Sequence, residues 1–255
     1  MHTFLSQGVR IAYYHYAPVG SDRGEPIVLA HGFASSTRIN WVNPRWVDAL
    51  TKAGRRVIAL DNRGHGQSAK LYDPEAYTTD LMAGDVAGLI DHLDLTRVDL
   101  MGYSMGARIV TAVALRRPRL ARSLILGGLG IHLVNGEGLP LGIAEAMEAP
   151  SLEDLSDPMQ RMFRAFADQS AGDRRALAAC IRGSRQTLSA DQIRSISAPA
   201  LIAVGTKDPI AGDPHELAGL FPNGQALDIP GRDHNHAVGD KAFKSGALAF
   251  LSARA

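Results

Sequence analysis

Residues 99–108 read DLMGYSMGAR, with a single serine, Ser104, set between Gly102 and Gly106 where an apolar run gives way to a helical pattern. Glycine is favoured where the backbone must pass through space that a side chain would fill. With 26 glycines in 255 residues, a G-x-S-x-G arises by accident in about one such chain in six, so the context of Ser104 carries the reading. That context is regular. VDLMG (98–102) is a short apolar run suited to a buried strand, and MGARIVTAVALRR (105–117) is a helix pattern closed by Pro118. The serine therefore stands at a strand-to-helix turn, close to a helix N-terminus whose free N–H groups favour developing negative charge. A serine hydroxyl is a poor nucleophile unaided. It needs a base, and the base needs an orienting group.

The same design repeats along the chain. PIVLAHG (26–32), RVIALDNRGHG (56–66), SLILGGLG (123–130), PALIAVGTKD (199–208) and the weaker ALDIPG (226–231) are apolar runs that end in glycine or polar residues, and IAYYHYAP (11–18) alternates as a strand does. Helical patterns at about 43–53, 78–94, 104–117 and 213–220 separate them, and another at 239–252 follows the last. This alternation predicts an α/β fold built on a mostly parallel, doubly wound sheet, with ligands bound at the carboxyl ends of the strands.

Residues 131–195 break the rhythm. They open with NGEGLPLG, contain no strand-like run and continue in helical patterns. A structureless loop of that length is implausible. The expected organisation is a core domain from residues 1–130 and 196–255, with a small helical cap inserted at 131–195. Met159, Met162, Phe163 and Phe166 fall on one helix face, and two readings of that stripe stay open: packing against the core domain, or lining a substrate pocket.

Composition narrows the partners. Hydrophobic residues are 45% and charged residues 21%, which is ordinary for a globular chain, and the net charge of +1 supplies no field toward nucleic acid or an anionic membrane. A small-molecule substrate is the expected partner; the oligomeric state is open. Arg55-Arg56 and Arg116-Arg117 read as solvated faces. The single cysteine, Cys180 in ALAACIRG, allows no intrachain disulfide and no cysteine zinc cluster, and its neighbours suggest a buried small residue. MHTFLSQGVR (1–10) has no apolar leader region and no stretch approaches a membrane span, so a cytoplasmic location is expected. No P-loop, no H-E-x-x-H and no G-x-G-x-x-G after an early strand occurs, so neither a metal nor another cofactor is expected.

Candidate partners of Ser104 follow later strands. GTKDPI (205–210) puts Asp208 just after one, and IPGRDHNHAVGD (229–240) puts His234 and His236 just after the last. The order Ser104, Asp208, His234 behind the Gly102–Gly106 elbow resembles the α/β-hydrolase family over nearly the whole chain outside the cap. HGFASS (31–36) resembles the family's His-Gly loop after the third strand, and DNRGHGQS (61–68) its Asp-x-Arg-Gly-x-Gly-x-Ser loop.

The resemblance implies a sheet of the α/β-hydrolase type and a serine hydrolase acting on a small carboxylic ester through an acyl-enzyme. A C–C bond hydrolase of ring-cleavage products or a lactonase is the alternative on the same triad, and a non-catalytic ligand receptor is a third possibility. It assigns Ser104 as nucleophile, His234 as base and Asp208 as orienting acid, with the backbone N–H groups of Phe33 and Met105 as an oxyanion hole. Tyr103 and the Met159, Met162, Phe163, Phe166 stripe are the candidate substrate contacts.

LILGGLGIHL (124–133), where some members carry the acid, has no carboxylate. His234 is preferred over His236 because it matches the family's Pro-Gly-x-x-His ending, and because it follows Gly231 by three residues, where the chain can turn at the strand end. His31 reads as structural and Arg63 as a bridge between loops. His65 is unsettled, and Asp80 and Asp85 read as capping or solvated.

Overall fold

The computed structural model of the chain describes residues 1–22, 26–136 and 138–253. Its strands are β1 (His2–Ser6), β2 (Val9–Tyr16), β3 (Ile27–Ala30), β4 (Val57–Leu60), β5 (Val98–Tyr103), β6 (Ala121–Gly127), β7 (Ala200–Gly205) and β8 (Gly224–Ile229). They form one eight-stranded sheet in the order β1-β2-β4-β3-β5-β6-β7-β8. β2 pairs antiparallel with β1 and with β4, while the pairings from β4 through β8 are parallel.

β1 has no counterpart among the sequence-derived elements. It exists because Gln7 (φ 49°) and Gly8 (φ 79°) form a two-residue turn with both φ values positive, the conformation that folds a strand back on its neighbour.

Every residue of β3, β4, β5 and β7 is buried, which accounts for their continuous apolar sequence. Successive residues face opposite sides. Val28, Ala30, Ile58 and Leu60 join one core cluster, whereas Ile27, Leu29, Val57 and Ala59 join a second. Helices α1 (Trp46–Lys52), α2 (Thr79–His92) and α3 (Met105–Arg116) follow β3, β4 and β5 in turn. α2 and α3 supply Val86, Leu89, Ile109 and Val110 to the first cluster; Trp46 and Leu50 of α1 belong to the second.

Between β6 and β7 the described residues form five helices: α4 (His132–Asn135), α5 (Gly142–Glu148), α6 (Pro158–Gln169), α7 (Arg174–Gly183) and α8 (Ala190–Arg194). Residue 137 of the glycine-rich opening lies outside the described residues. Ile143, Met147, Phe163 and Leu177 of these helices merge with the first cluster, so the inserted helices share a core with the α2–α3 side of the sheet. α9 (Pro214–Ala218), α10 (His234–Ala237) and α11 (Lys241–Ser252) complete the chain, with Phe243 and Phe250 of α11 packed beside Trp46 in the second cluster. Among the described residues no helix is long and apolar enough to cross a membrane.

Two expectations are corrected. Arg55 is buried, not solvated: its guanidinium lies 2.8 Å from Asp99 and donates to the Leu251 carbonyl at 3.1 Å. Asp99 sits on a fully buried central strand and also accepts from Ser123 at 2.7 Å, so a cation is drawn in to match it. Asp85 is neither capping nor solvated. It forms a buried two-pronged pair with Arg63, Nε to Oδ2 at 2.7 Å and Nη2 to Oδ1 at 2.8 Å, while Arg63 Nη1 donates to the Ala76 carbonyl. Arg63 thereby bridges its loop to α2. Asp80 meets Arg116 and Asp91 meets Arg117 at half-exposed positions.

Asp80 and Asp85 of α2 should therefore behave differently. Asp85→Ala strands a buried guanidinium and should cost about 3–5 kcal/mol of stability, whereas Asp80→Ala should cost about 1 kcal/mol or less. Equilibrium urea unfolding of the two variants measures the difference, and equal losses would contradict the assignment.

Candidate active site

β5 is buried along its length and ends at Tyr103; α3 begins at Met105. Ser104 joins them at φ 54°, ψ −113°, a conformation that side chains other than glycine rarely adopt. Its N–H donates to the Gly127 carbonyl at 2.7 Å, which ties the turn to the end of β6. A Cβ at Gly102 would collide with the Gly106 carbonyl, and one at Gly106 would collide with the carbonyls of Ala30 and His31. The two glycines therefore let β3, β5 and α3 approach closely enough to set the serine at the carboxyl edge of the sheet.

The other two triad candidates come from the ends of β7 and β8. His234 Nε2 lies 3.0 Å from Ser104 Oγ, and His234 Nδ1 lies 2.7 Å from Asp208 Oδ2. The Asp208 side chain is fully buried, and its second oxygen accepts from the N–H groups of Ile210 and Ala211 at 2.8 and 3.1 Å. The carboxylate is thus fixed by the turn that follows β7, with one oxygen aimed at the imidazole.

A helical turn separates His234 from His236. Residues 234–237 are not extended but form α10, a single helical turn capped by Asp233. Residues two apart on a helix are about 200° apart around its axis, so only one of them can face Ser104. His236 Nδ1 turns to Asp233 at 2.7 Å, and its side chain is 72% exposed.

Of the two candidate oxyanion donors, Met105 opens α3 and Phe33 follows Gly32 beyond β3. Neither N–H donates to a protein acceptor among the described residues. Asn40 Oδ1 accepts from the Gly32 N–H at 2.7 Å and pins this loop, a contact that no motif in the sequence announces.

Behind the loop lies a buried polar layer. His31 Nδ1–H donates to the Gly32 carbonyl at 2.7 Å, and its Nε2 accepts from the Asn62 N–H at 3.0 Å. Asp61 accepts from the N–H groups of Thr37 and Gln67, both at 2.8 Å. His65 packs edge-on against Phe33 with its Nδ1–H bonded to the Arg63 carbonyl. Burial, reinforced by the neighbouring His31, pushes His65 down to about 3. Burial likewise lowers His31. Both rings are neutral supports of the loop that carries Phe33.

Two spaces meet at Ser104 and Phe33. One is a cavity of about 100 Å³ walled by Met82, Met105, Ile109 and Ile181. The other is an outer groove of about 550 Å³ bordered by Met162, Phe163, Phe166, His236 and Lys241. The helical stripe is therefore split. Met162, Phe163 and Phe166 border the outer groove, with Phe163 against Phe33, while Met159 packs on the core and borders neither space. Tyr103 also borders the groove, but it is 4% exposed, and its hydroxyl donates to the His234 carbonyl at 2.5 Å. Its polar atom thus holds the histidine turn and is not offered to a ligand. Cys180 is buried, and burial pushes its thiol up to about 12.

Residues 25–134 match the family model described as alpha/beta hydrolase fold. The chain is 32% identical over 234 residues to the dihydrolipoyllysine-residue acetyltransferase component of the acetoin cleaving system of Pseudomonas putida; the match takes in 85% of this chain and spans 60% of that protein's length. It is 30% identical over 258 residues to a non-heme haloperoxidase of Rhodococcus erythropolis, covering 90% of each. Among solved structures it superimposes on the enol-lactonase from Burkholderia xenovorans LB400 with a TM-score of 0.78 at 22% identity, over 98% of this chain and 100% of the other.

The neutral His65 makes the loop behind the site acid-sensitive. In the unfolded chain a histidine takes up a proton below about pH 6.5, while the buried ring does not do so until about 3. The unfolded state then binds more protons, so stability falls as pH drops through that window. Urea unfolding at pH 7.5 and pH 5.0 should show a loss of which about 2 kcal/mol is removed by His65→Gln. An unchanged pH slope in that variant would sink the assignment.

Proposed function

The chain belongs to the α/β-hydrolase fold family, and from that membership we propose that it is a serine hydrolase cleaving a small carboxylic ester through an acyl-enzyme. One observation carries the reading: an unbroken hydrogen-bonded path from Asp208 through both nitrogens of His234 to a serine held at positive φ.

Ser104 Oγ attacks the ester carbonyl while His234 Nε2 takes its proton. Asp208, bonded to Nδ1, holds the imidazole in the matching tautomer and stabilises the imidazolium. The developing oxyanion is met by the N–H groups of Phe33 and Met105, already set by the loop and by the helix start. His234 then returns the proton to the departing alcohol and activates water to release the acid. The cavity and the groove meeting at the serine suit the two arms of such a substrate. The Met162, Phe163 and Phe166 side of the groove is the proposed binding wall for one of them, with a small molecule as the partner. Lactones and C–C substrates from ring cleavage would use the same three residues, and they form the comparison arms of a substrate screen.

Ser104→Ala should abolish labelling by a fluorophosphonate probe and lower ester turnover by roughly 10³-fold or more. His234→Ala should cost about as much, and the double variant little beyond either, because the three groups act as a unit. His236→Ala should cost about tenfold at most. Wild-type turnover by the Ser104→Ala protein would refute the mechanism, and a larger loss from His236 than from His234 would reassign the base.

A further inference from the structure

Arg108 lies on α3 one turn beyond Ser104, on the same side of the helix, and borders the 100 Å³ cavity. The residue is 5% exposed, and its guanidinium donates to four backbone carbonyls. Nη1 reaches Leu133 at 3.1 Å and Gln186 at 3.3 Å; Nη2 reaches His132 and Gly136, both at 3.0 Å. These bonds tie the start of the inserted helices to α3. They leave the Nε–H without a protein acceptor among the described residues.

No carboxylate pairs with Arg108 among those residues, whereas the buried Arg55 and Arg63 each face an aspartate. Carbonyl dipoles replace a counter-charge only in part, so a buried cation without an acid is costly in the empty protein. Burial and the nearby Arg185 push Arg108 down to about 10, which leaves it charged at neutral pH.

A second unsatisfied group borders the same space. Thr79 is 2% exposed, and its Oγ1 has no hydrogen-bond partner, although its backbone N–H is held by Gln186 at 2.7 Å. Met82, Ile109 and Ile181 supply apolar walls. The volume is below the ~150 Å³ that accepts benzene, so it suits a short chain.

We propose that this cavity selects an acyl chain ending in a carboxylate, so that the preferred substrates are hemi-esters of short dicarboxylic acids, read by the guanidinium of Arg108 and the hydroxyl of Thr79. The proposal rests on the serine-hydrolase reading and extends it to the acid half of the substrate. The ester bond breaks as before, water is consumed, and the products are the alcohol and a free dicarboxylate. Arg108 sits several bonds from the scissile carbonyl and acts in recognition, not in bond cleavage.

The decisive comparison is between monomethyl glutarate and methyl pentanoate, which match in length and differ in the terminal carboxylate, followed by pH-stat titration. The wild-type protein should show a kcat/KM at least tenfold higher for the charged ester. Arg108→Met should reduce that ratio tenfold or more, Arg108→Lys should recover part of it, and Thr79→Val should reduce it a fewfold. Arg108 also ties the inserted helices, so if Arg108→Met fails to fold, the wild-type ratio and Thr79→Val decide. An equal or higher kcat/KM for methyl pentanoate in the wild type overturns the proposal while leaving the hydrolase reading intact. Calorimetric binding of monomethyl glutarate to Ser104→Ala separates the two readings. If neither ester is turned over by the wild type but the charged ester binds this variant and the neutral one does not, the carboxylate site stands and the hydrolase reading falls. If neither binds nor reacts, the proposal is overturned.

Discussion

The close approach of β3, β5 and α3 at Ser104 is the constraint on which the remainder of the site depends. Gly106 runs against the carbonyls of Ala30 and His31, and Gly102 runs against Gly106, at separations where any Cβ would force the elements apart. The serine between them sits at φ 54°, which costs of order 1–3 kcal/mol. Strands buried along their whole length hold the turn in place, together with the 2.7 Å bond from the Ser104 N–H to Gly127. A looser turn would relax toward ordinary φ and withdraw the hydroxyl from His234.

Several polar groups around that turn are held by fixed protein partners. Asp208 is oriented by two backbone N–H groups, His31 by one carbonyl and one amide, Asp61 by two amides and Gly32 by Asn40. These partners come from loops after different strands, so each fixes the position of the next. The result is a site whose loops hold one another in place. His65 is part of the same layer, neutral because burial disfavours its charged form.

The inserted helices do two physical jobs with one set of contacts. Their apolar faces extend the core on the α2–α3 side, through Ile143, Met147 and Leu177. Their edges roof the space at Ser104, where Phe163 meets Phe33 and Ile181 faces the cavity. Arg108 links the two roles, because it reaches from α3 to the carbonyls at the start of the insertion. Stability of the roof and the shape of the cavity are coupled through that side chain.

The sequence by itself determined the α/β class, the glycine elbow, and the order Ser104, Asp208, His234, because each is local. Buried parallel strands must be continuous apolar runs, and a tight crossing needs glycine at a fixed spacing. It did not reveal β1, whose short run has only a turn to mark it, nor that residues 234–237 are helical. Tertiary structure alone decided which charges are buried. Arg55 and Asp85 look like surface residues in sequence, yet each meets a buried partner more than 20 residues away. It also decided the split of the Met/Phe stripe, placing Phe166 on the groove and Met159 against the core away from it, and it brought Arg108, Thr79 and Asn40 to the site. A side chain's period along a helix says which face it occupies. What that face meets depends on elements distant in sequence, and burial and ionic pairing are properties of that meeting.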